Sequence, residues 1–377
     1  MQPKTFLSYI FISLILLAVT VTAFNFFIDP YLLFDSKRIA SVNEKKSDIN
    51  NFIPVSKAYH PLAKRPDLLI VGNSRVEMGL NPRHPCLKRR SGRPYNLGIP
   101  GIGVGSQLTY ALNIIRQSET NEVFLAIDFT DFLTTSKTPP DKKYSLAPAQ
   151  VRHLKYRSDG SLNPTYQTQR SLDYYRALFS LNALASSITT VFDQGQWATN
   201  RDDYGFNPAN DFKKVTAIEG PQALFAQKLA DLEKKYSRQW YLRYQGGTLP
   251  AEFERLRDFL VTTKERNVRV TLFTNPLHDE FWQLMKKHDL METYRDWLTA
   301  ITELLSGMDD QDIAFWDFSY DSPYIHEIVP PPGKNAKPLQ WFWEPAHYRQ
   351  ELGDLMLDAM LSEQCGSKIV FGNRIQY

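Results

Sequence analysis

Three short segments carry side chains whose types and spacing suit nucleophilic chemistry. The first is Val71-Gly72-Asn73-Ser74-Arg75, where a serine closely follows an apolar run that ends in glycine. Such a serine can sit at a helix amino terminus with its oxygen exposed and backbone N–H groups aimed at a developing oxyanion. It can equally be the N-cap of the next helix. The second is Phe342-Trp343-Glu344-Pro345-Ala346-His347-Tyr348, ahead of an amphipathic stretch carrying Leu352, Leu355 and Met356. A carboxylate three residues before a histidine, across one turn, can fix one ring nitrogen and leave the other free as a base. The alternative is a plain helix start, with Glu344 near the positive end of the dipole and His347 merely polar. The third is Asn96-Leu97-Gly98-Ile99-Pro100-Gly101, continuing into Ile102-Gly103-Val104-Gly105. Its glycines permit close backbone approach to an anion. A dinucleotide reading is disfavoured: the spacing is G-x-G-x-G-S rather than G-x-G-x-x-G, and the loop follows the second strand.

Positioning these segments requires alternating strands and helices. Short apolar runs predict strands at 67–71, 95–97, 122–127, 268–274 and 313–316. Helical spacing predicts helices over 105–117, 221–244, 250–266, 279–305 and 347–361, with another near 172–190. The alternation predicts an α/β fold, a doubly wound, mostly parallel five-stranded sheet covered on both faces. Sites in such sheets lie at the carboxyl ends of the strands, where Ser74 and Gly101 both fall. Arg75 and Asn275, in Asn275-Pro276-Leu277-His278 after the fourth strand, are candidates for substrate contact, although a turn also explains Asn275. Residues 135–220 are rich in Pro, Asn, Asp and Tyr, and the segment at about 135–250 reads as an insertion.

Phe6 to Ile28 is uncharged and, as a helix, spans roughly 34 Å, enough to cross a hydrocarbon core of ~30 Å. A cleaved signal peptide ending near Val21-Thr22-Ala23 is the rival reading. The expected layout is a membrane anchor at 1–28, a stalk at 29–64, an α/β domain at 65–365 and a tail at 366–377. The body is expected outside the cytoplasm, on the periplasmic side of the inner membrane. There, Cys86 and Cys365 could pair or remain as two thiols. The 44 basic and 41 acidic residues give a net charge of +3, which makes no bulk electrostatic case for nucleic acid. Two cysteines exclude a disulfide-rich scaffold and a Cys-built zinc site, and His326-Glu327 lacks a second histidine at zincin spacing, so no metal is expected.

Ser74 after the first strand, Gly101 after the second and Glu344-x-x-His347 near the last helix, in that order, resemble the SGNH, or GDSL-like, hydrolase superfamily. The likeness covers about 66–135 and 250–362. It implies a flavodoxin-like sheet, with Ser74 as nucleophile, His347 as base, Glu344 in the place of the family's aspartate, the Gly101 N–H as an oxyanion donor, and no cofactor. Two departures stand out. Thr130, in Asp128-Phe129-Thr130-Asp131, stands roughly where the family's block-three asparagine would donate to the oxyanion, and Glu344 is one methylene longer than aspartate. More narrowly, Phe26-Phe27-Ile28-Asp29-Pro30-Tyr31, Gly72-Asn73-Ser74-Arg75 and His347-Tyr348 followed by Gly353-Asp354 resemble membrane-anchored SGNH-like proteins of bacterial cell-envelope polysaccharide modification, of the alginate O-acetylation and teichoic-acid D-alanylation type. This implies a serine acyltransferase or esterase acting on an envelope polysaccharide, with a multi-span membrane acyltransferase as a possible partner. The other reading is a non-catalytic accessory or glycan-binding protein of the same system.

Overall fold

The structure is a computed structural model that describes residues 3–140, 151–308, 313–333, 337–366, 368 and 370–377; residues 141–150 of the expected insertion lie outside the described residues. The chain begins with α1 (Pro3–Ile28) and α2 (Ile53–Lys64). The core units follow as β1 (Leu68–Gly72), α3 (Ser74–Gly79), α4 (Pro85–Arg90), β2 (Pro94–Gly98), α5 (Val104–Ile115) and β3 (Glu122–Ile127). Among the described residues of the insertion stand α6 (Tyr166–Phe179), α7 (Leu181–Phe192), α8 (Asn210–Glu219) and α9 (Pro221–Tyr236). The fold resumes with α10 (Ala251–Glu265), β4 (Arg269–Thr274), α11 (Asp279–Lys287), α12 (Met291–Ser306) and β5 (Ala314–Asp317). It ends with β6 (Phe342–Glu344), β7 (His347–Tyr348), α13 (Gln350–Met360) and β8 (Asn373–Ile375).

The main sheet has the order β2-β1-β3-β4-β5-β8, with β1 to β5 parallel and β8 antiparallel at the edge. The order 2-1-3-4-5 is that of a flavodoxin-like doubly wound sheet. The sheet has six strands rather than the expected five. The sixth lies in the expected tail, where Asn373–Ile375 is too short and polar to announce itself. Side chains alternate across the sheet: Leu69, Val71, Leu125 and Leu272 enter one core with α5, α10 and α12, while Leu68, Ile70, Phe124 and Phe273 enter the other with α3, α4 and α13. Each fully buried aliphatic or aromatic side chain contributes roughly 1.5–3 kcal/mol, so the strands are fixed in register from both faces.

Several expected boundaries shift. Residues 29–64 are no free stalk. Asp29 is fully buried and accepts from Leu33 N–H at 2.8 Å and Phe34 N–H at 3.1 Å. Lys57, on α2, donates to the carbonyls of Asn96 at 2.8 Å and Gly205 at 2.6 Å and faces Glu77 at 3.7 Å. Burial pulls the Lys57 ammonium down to about 8 against the opposing pull of Glu77. Polar groups of this segment are thus bonded both within it and to the body. The helix expected to run to Tyr244 stops at Tyr236, since Tyr241 leaves to pair with Thr134, its carbonyl accepting Thr134 N–H at 2.8 Å. The helix expected across 279–305 is two, α11 and α12, broken where Asp289 takes φ +55°. Cys86 and Cys365 form a disulfide that ties α4 to the end of the domain.

Candidate active site

Ser74 is the first residue of α3, directly beyond the end of β1. It does not cap the helix. Asn73 does, its side-chain oxygen accepting Arg75 N–H at 3.0 Å. The Ser74 hydroxyl is therefore free of the capping duty and lies 2.7 Å from His347 Nε2. The other ring nitrogen, Nδ1, is hydrogen-bonded to Glu344 Oε1. Glu344 Oε2 accepts Ala346 N–H at 3.0 Å. With its proton on Nδ1 toward Glu344, His347 presents Nε2 to Ser74 as an acceptor.

Glu344 and His347 do not lie on a helical turn, as their spacing suggested. They are a cross-strand pair in the β6–β7 hairpin, joined by Pro345 and Ala346, and the helix begins only at Gln350. Burial pushes the Glu344 carboxyl up, but the charge and hydrogen bond of His347, with Lys228 and the Ala346 N–H, outweigh it and hold the carboxyl below its ordinary value. Glu344 is thus an anion stored beside the imidazole.

The loop after β2 runs against the serine. A Cβ on Gly98 would stand 2.6 Å from Glu77 N and 2.9 Å from Asn73 O, so only glycine lets β2 come this close to α3. Gly101 has φ +74° with open space where a side chain would be. The residue is exposed, and an oxyanion donor must be open to its ligand. Thr130, expected as a further donor, follows β3 in a 3-10 turn, but its hydroxyl is hydrogen-bonded to the Tyr236 phenol. It lines a hollow with Gly103, Val104 and Asp131, a set that does not include Ser74 or His347.

Arg75 and Asn275, expected at the substrate, are instead built into the wall. Both bind Asp128, at the end of β3: Arg75 Nη1 lies 2.8 Å from Oδ2 and Asn275 Nδ2 is 3.0 Å from Oδ1. Asn73 Nδ2 adds a third donor to Oδ2 at 2.5 Å. Arg75 Nε also donates to the Ala346 carbonyl at 2.7 Å, and the Tyr348 hydroxyl donates to Asn275 Oδ1 at 3.0 Å. Burial works against the Arg75 guanidinium, but Asp128 leads the charges that carry its pKa upward. Arg75 therefore clasps the serine-bearing helix to the histidine-bearing hairpin. His278 N–H holds the same turn by donating to the Pro345 carbonyl at 3.0 Å.

Asp128, Asn73 and Phe212 went unassigned in the sequence. Asp128 ends an apolar strand and Asn73 stands inside the Gly-Asn-Ser block, so both were visible as positions on the rim. Phe212, from α8, places its ring 5.8 Å from the His347 ring and 6.2 Å from Trp343, and no local signal marks it. The insertion is fixed here by Arg201, whose Nε donates to buried Glu77 at 2.7 Å, and by Tyr204, whose carbonyl accepts Asn96 N–H at 2.8 Å.

Among the described residues, two side-chain groups have metal-ligand composition, and neither is at this site. His84, Cys86 and Asp358 lack a free thiolate because Cys86 is disulfide-bonded. In Asp35, His60 and Asp203, the carboxylates already face Lys64 and Arg38. No family model and no curated protein matches the chain.

Proposed function

We propose that the chain is a serine acyl-transfer enzyme of the SGNH type. The observation that carries the reading is the hydrogen-bonded series Ser74–His347–Glu344 at the carboxyl rim of a doubly wound sheet, with the positive-φ Gly101 in the loop after the neighbouring strand β2. More particularly, we infer a membrane-anchored enzyme whose domain lies outside the cytoplasm. It adds or removes acyl groups, acetyl first among them, on a cell-envelope polysaccharide, alongside a multi-span acyltransferase. Helix α1 is long and apolar enough to cross a membrane, which supports the anchor.

In the reaction, Ser74 Oγ attacks the acyl carbonyl carbon and its proton passes to His347 Nε2. Glu344 holds the ring in the required tautomer and stabilises the imidazolium. The N–H groups of Ser74 and Gly101 receive the oxyanion. As the first helical residue, Ser74 has no carbonyl partner within α3 for its N–H. Collapse breaks the acyl–oxygen bond, and His347 returns the proton to the leaving alcohol. The acyl-serine is then taken by water or by a sugar hydroxyl, with His347 again as base. Arg75 and Asp128 position this machinery without touching the acyl group.

The test is genetic and chemical. Ser74→Ala, at normal protein abundance, should abolish the envelope acyl-ester difference between the wild-type strain and a deletion strain. Unchanged acylation would refute the reading, and would favour an accessory role.

A further inference from the structure

Helix α7 has its polarity inside out. Helix α7, LNALASSITTVF, contains no charged residue, and its buried side holds Ala183, Ser186, Ser187 and Thr190. Ser187 donates to Asn25 Oδ1 at 2.8 Å, and Ser186 Oγ accepts the Tyr31 hydroxyl at 3.0 Å. The opposite side carries Leu181, Ala185, Ile188 and Phe192, which share one helical face by their spacing. Leu181 is 83% exposed, Phe192 85% and Ile188 44%. A helix lying on a water-facing surface has the reverse arrangement. Helix α6 extends the patch with exposed Leu172, Tyr175 and Phe179, whose two rings stack at 5.4 Å.

The patch adjoins α1. Asn25 Nδ2 donates to the Leu178 carbonyl at 2.8 Å, which pins the hairpin tip to the last turns of α1. Residues 3–20 of α1 are exposed throughout, and contact with the body begins at Val21. From there to Ile28 is about 10 Å of helix. The apolar length from Phe6 to Ile28 exceeds a ~30 Å hydrocarbon core by only ~4 Å. Most of the contacted length therefore lies at hydrocarbon depth, and whatever packs there enters the bilayer boundary with it. Twelve residues make a helix of ~18 Å, too short to span but suited to lying in the interface.

We propose that the α6–α7 hairpin is an interfacial membrane-binding element. Its Leu181–Ala185–Ile188–Phe192 face and its Tyr175–Phe179 pair rest among the lipid acyl chains and headgroups beside α1, and hold the domain at a fixed orientation to the membrane. This rests on the reading of α1 as a membrane span. Ser180, which caps α7 by accepting Ala183 N–H at 3.0 Å, sits between Phe179 and Leu181 and makes the tip both rigid and apolar.

The test uses the full chain, with its native disulfide, in vesicles of phosphatidylethanolamine and phosphatidylglycerol. Nitroxide labels are placed one at a time at Leu14→Cys, Leu181→Cys, Ile188→Cys, Phe192→Cys and Glu303→Cys. Collision rates with oxygen and with a water-soluble nickel chelate report depth. The expected result is an oxygen-to-nickel ratio several-fold higher at positions 181, 188 and 192 than at exposed position 303, approaching the ratio at 14. A lipid-like label at 14 with water-like labels at 188 and 192 overturns the proposal while leaving the anchor intact. A water-like label at 14 overturns the anchor and the proposal together. Labels at 188 and 192 that are shielded from both reagents, to an extent that depends on the protein-to-lipid ratio, assign the face to a second copy and overturn the lipid assignment.

Discussion

Replacing Glu344 with glutamine separates orientation from bulk, because the two carboxylate oxygens face different partners. Oε2 accepts Ala346 N–H at 3.0 Å, and Oε1 faces His347 Nδ1. In Glu344→Gln the backbone N–H demands the amide oxygen, so the amide NH₂ turns to Nδ1. Nδ1 must then be the unprotonated nitrogen, which puts the proton on Nε2 and removes the base that Ser74 needs. Flipping the amide back sets NH₂ against the Ala346 N–H, a buried donor–donor conflict of ~1–3 kcal/mol. That alone leaves the productive tautomer scarce by roughly 5- to 150-fold. The variant also loses the charge that stabilises the imidazolium, so kcat/KM for p-nitrophenyl acetate should fall by ~10³–10⁴, with the fold intact by circular dichroism. Glu344→Asp keeps charge and tautomer but falls short by one methylene, and should lose only ~10–100-fold. A folded Glu344→Gln protein within about tenfold of wild type would refute the orienting role of Glu344.

Further outcomes follow from the same contacts. Arg75→Met leaves Asp128 without its buried cation and the Ala346 carbonyl without its donor. Denaturant titration should show a loss of ~3–5 kcal/mol, and a loss below ~0.5 kcal/mol would contradict the clasp. Burial first, and then the charge of Asp128, raise Asp131 from 3.8 to about 7. With the folded-state value raised, this contribution to stability is full below pH ~4 and is lost as pH rises toward 7. Asp131→Asn should flatten this slope, and an unchanged slope between pH 4 and 8 would contradict it. The Cys86–Cys365 bond closes a separation of 279 residues. The double serine variant should lose ~2–5 kcal/mol, measured by thermal unfolding in detergent against a reduced wild-type control.

The site was legible where its chemistry is local. Ser74 and the Glu344-x-x-His347 pair each sit within a few residues of a strand end, so residue type and spacing disclosed them. The local geometry of that pair was not legible. Pro345 suits the first turn of a helix as well as a tight hairpin, and long-range bonds decide for the hairpin: Arg75 to the Ala346 carbonyl and His278 to Pro345. Asn275 and Arg75 look like ligands for substrate because polar residues on a rim usually face solvent. Their shared partner, Asp128, is 147 residues from Asn275 along the chain, and only folding brings it there. The segment 29–64 reads as a stalk for the same reason. Lys57 is satisfied by the Asn96 and Gly205 carbonyls and Asp29 by backbone N–H groups of its own segment, partners that local composition does not reveal. The strands are the opposite case, since β1 and β3 are continuous apolar runs buried on both faces, the pattern that a covered parallel sheet imposes.

The most direct measurement is the site of covalent capture by a fluorophosphonate. The full-length protein should become labelled, and peptide mass spectrometry should place the adduct on Ser74. His347→Ala should slow the labelling by at least ~10²-fold. A folded protein that takes no label, or takes it at another serine with Ser74 unmodified, would contradict the account.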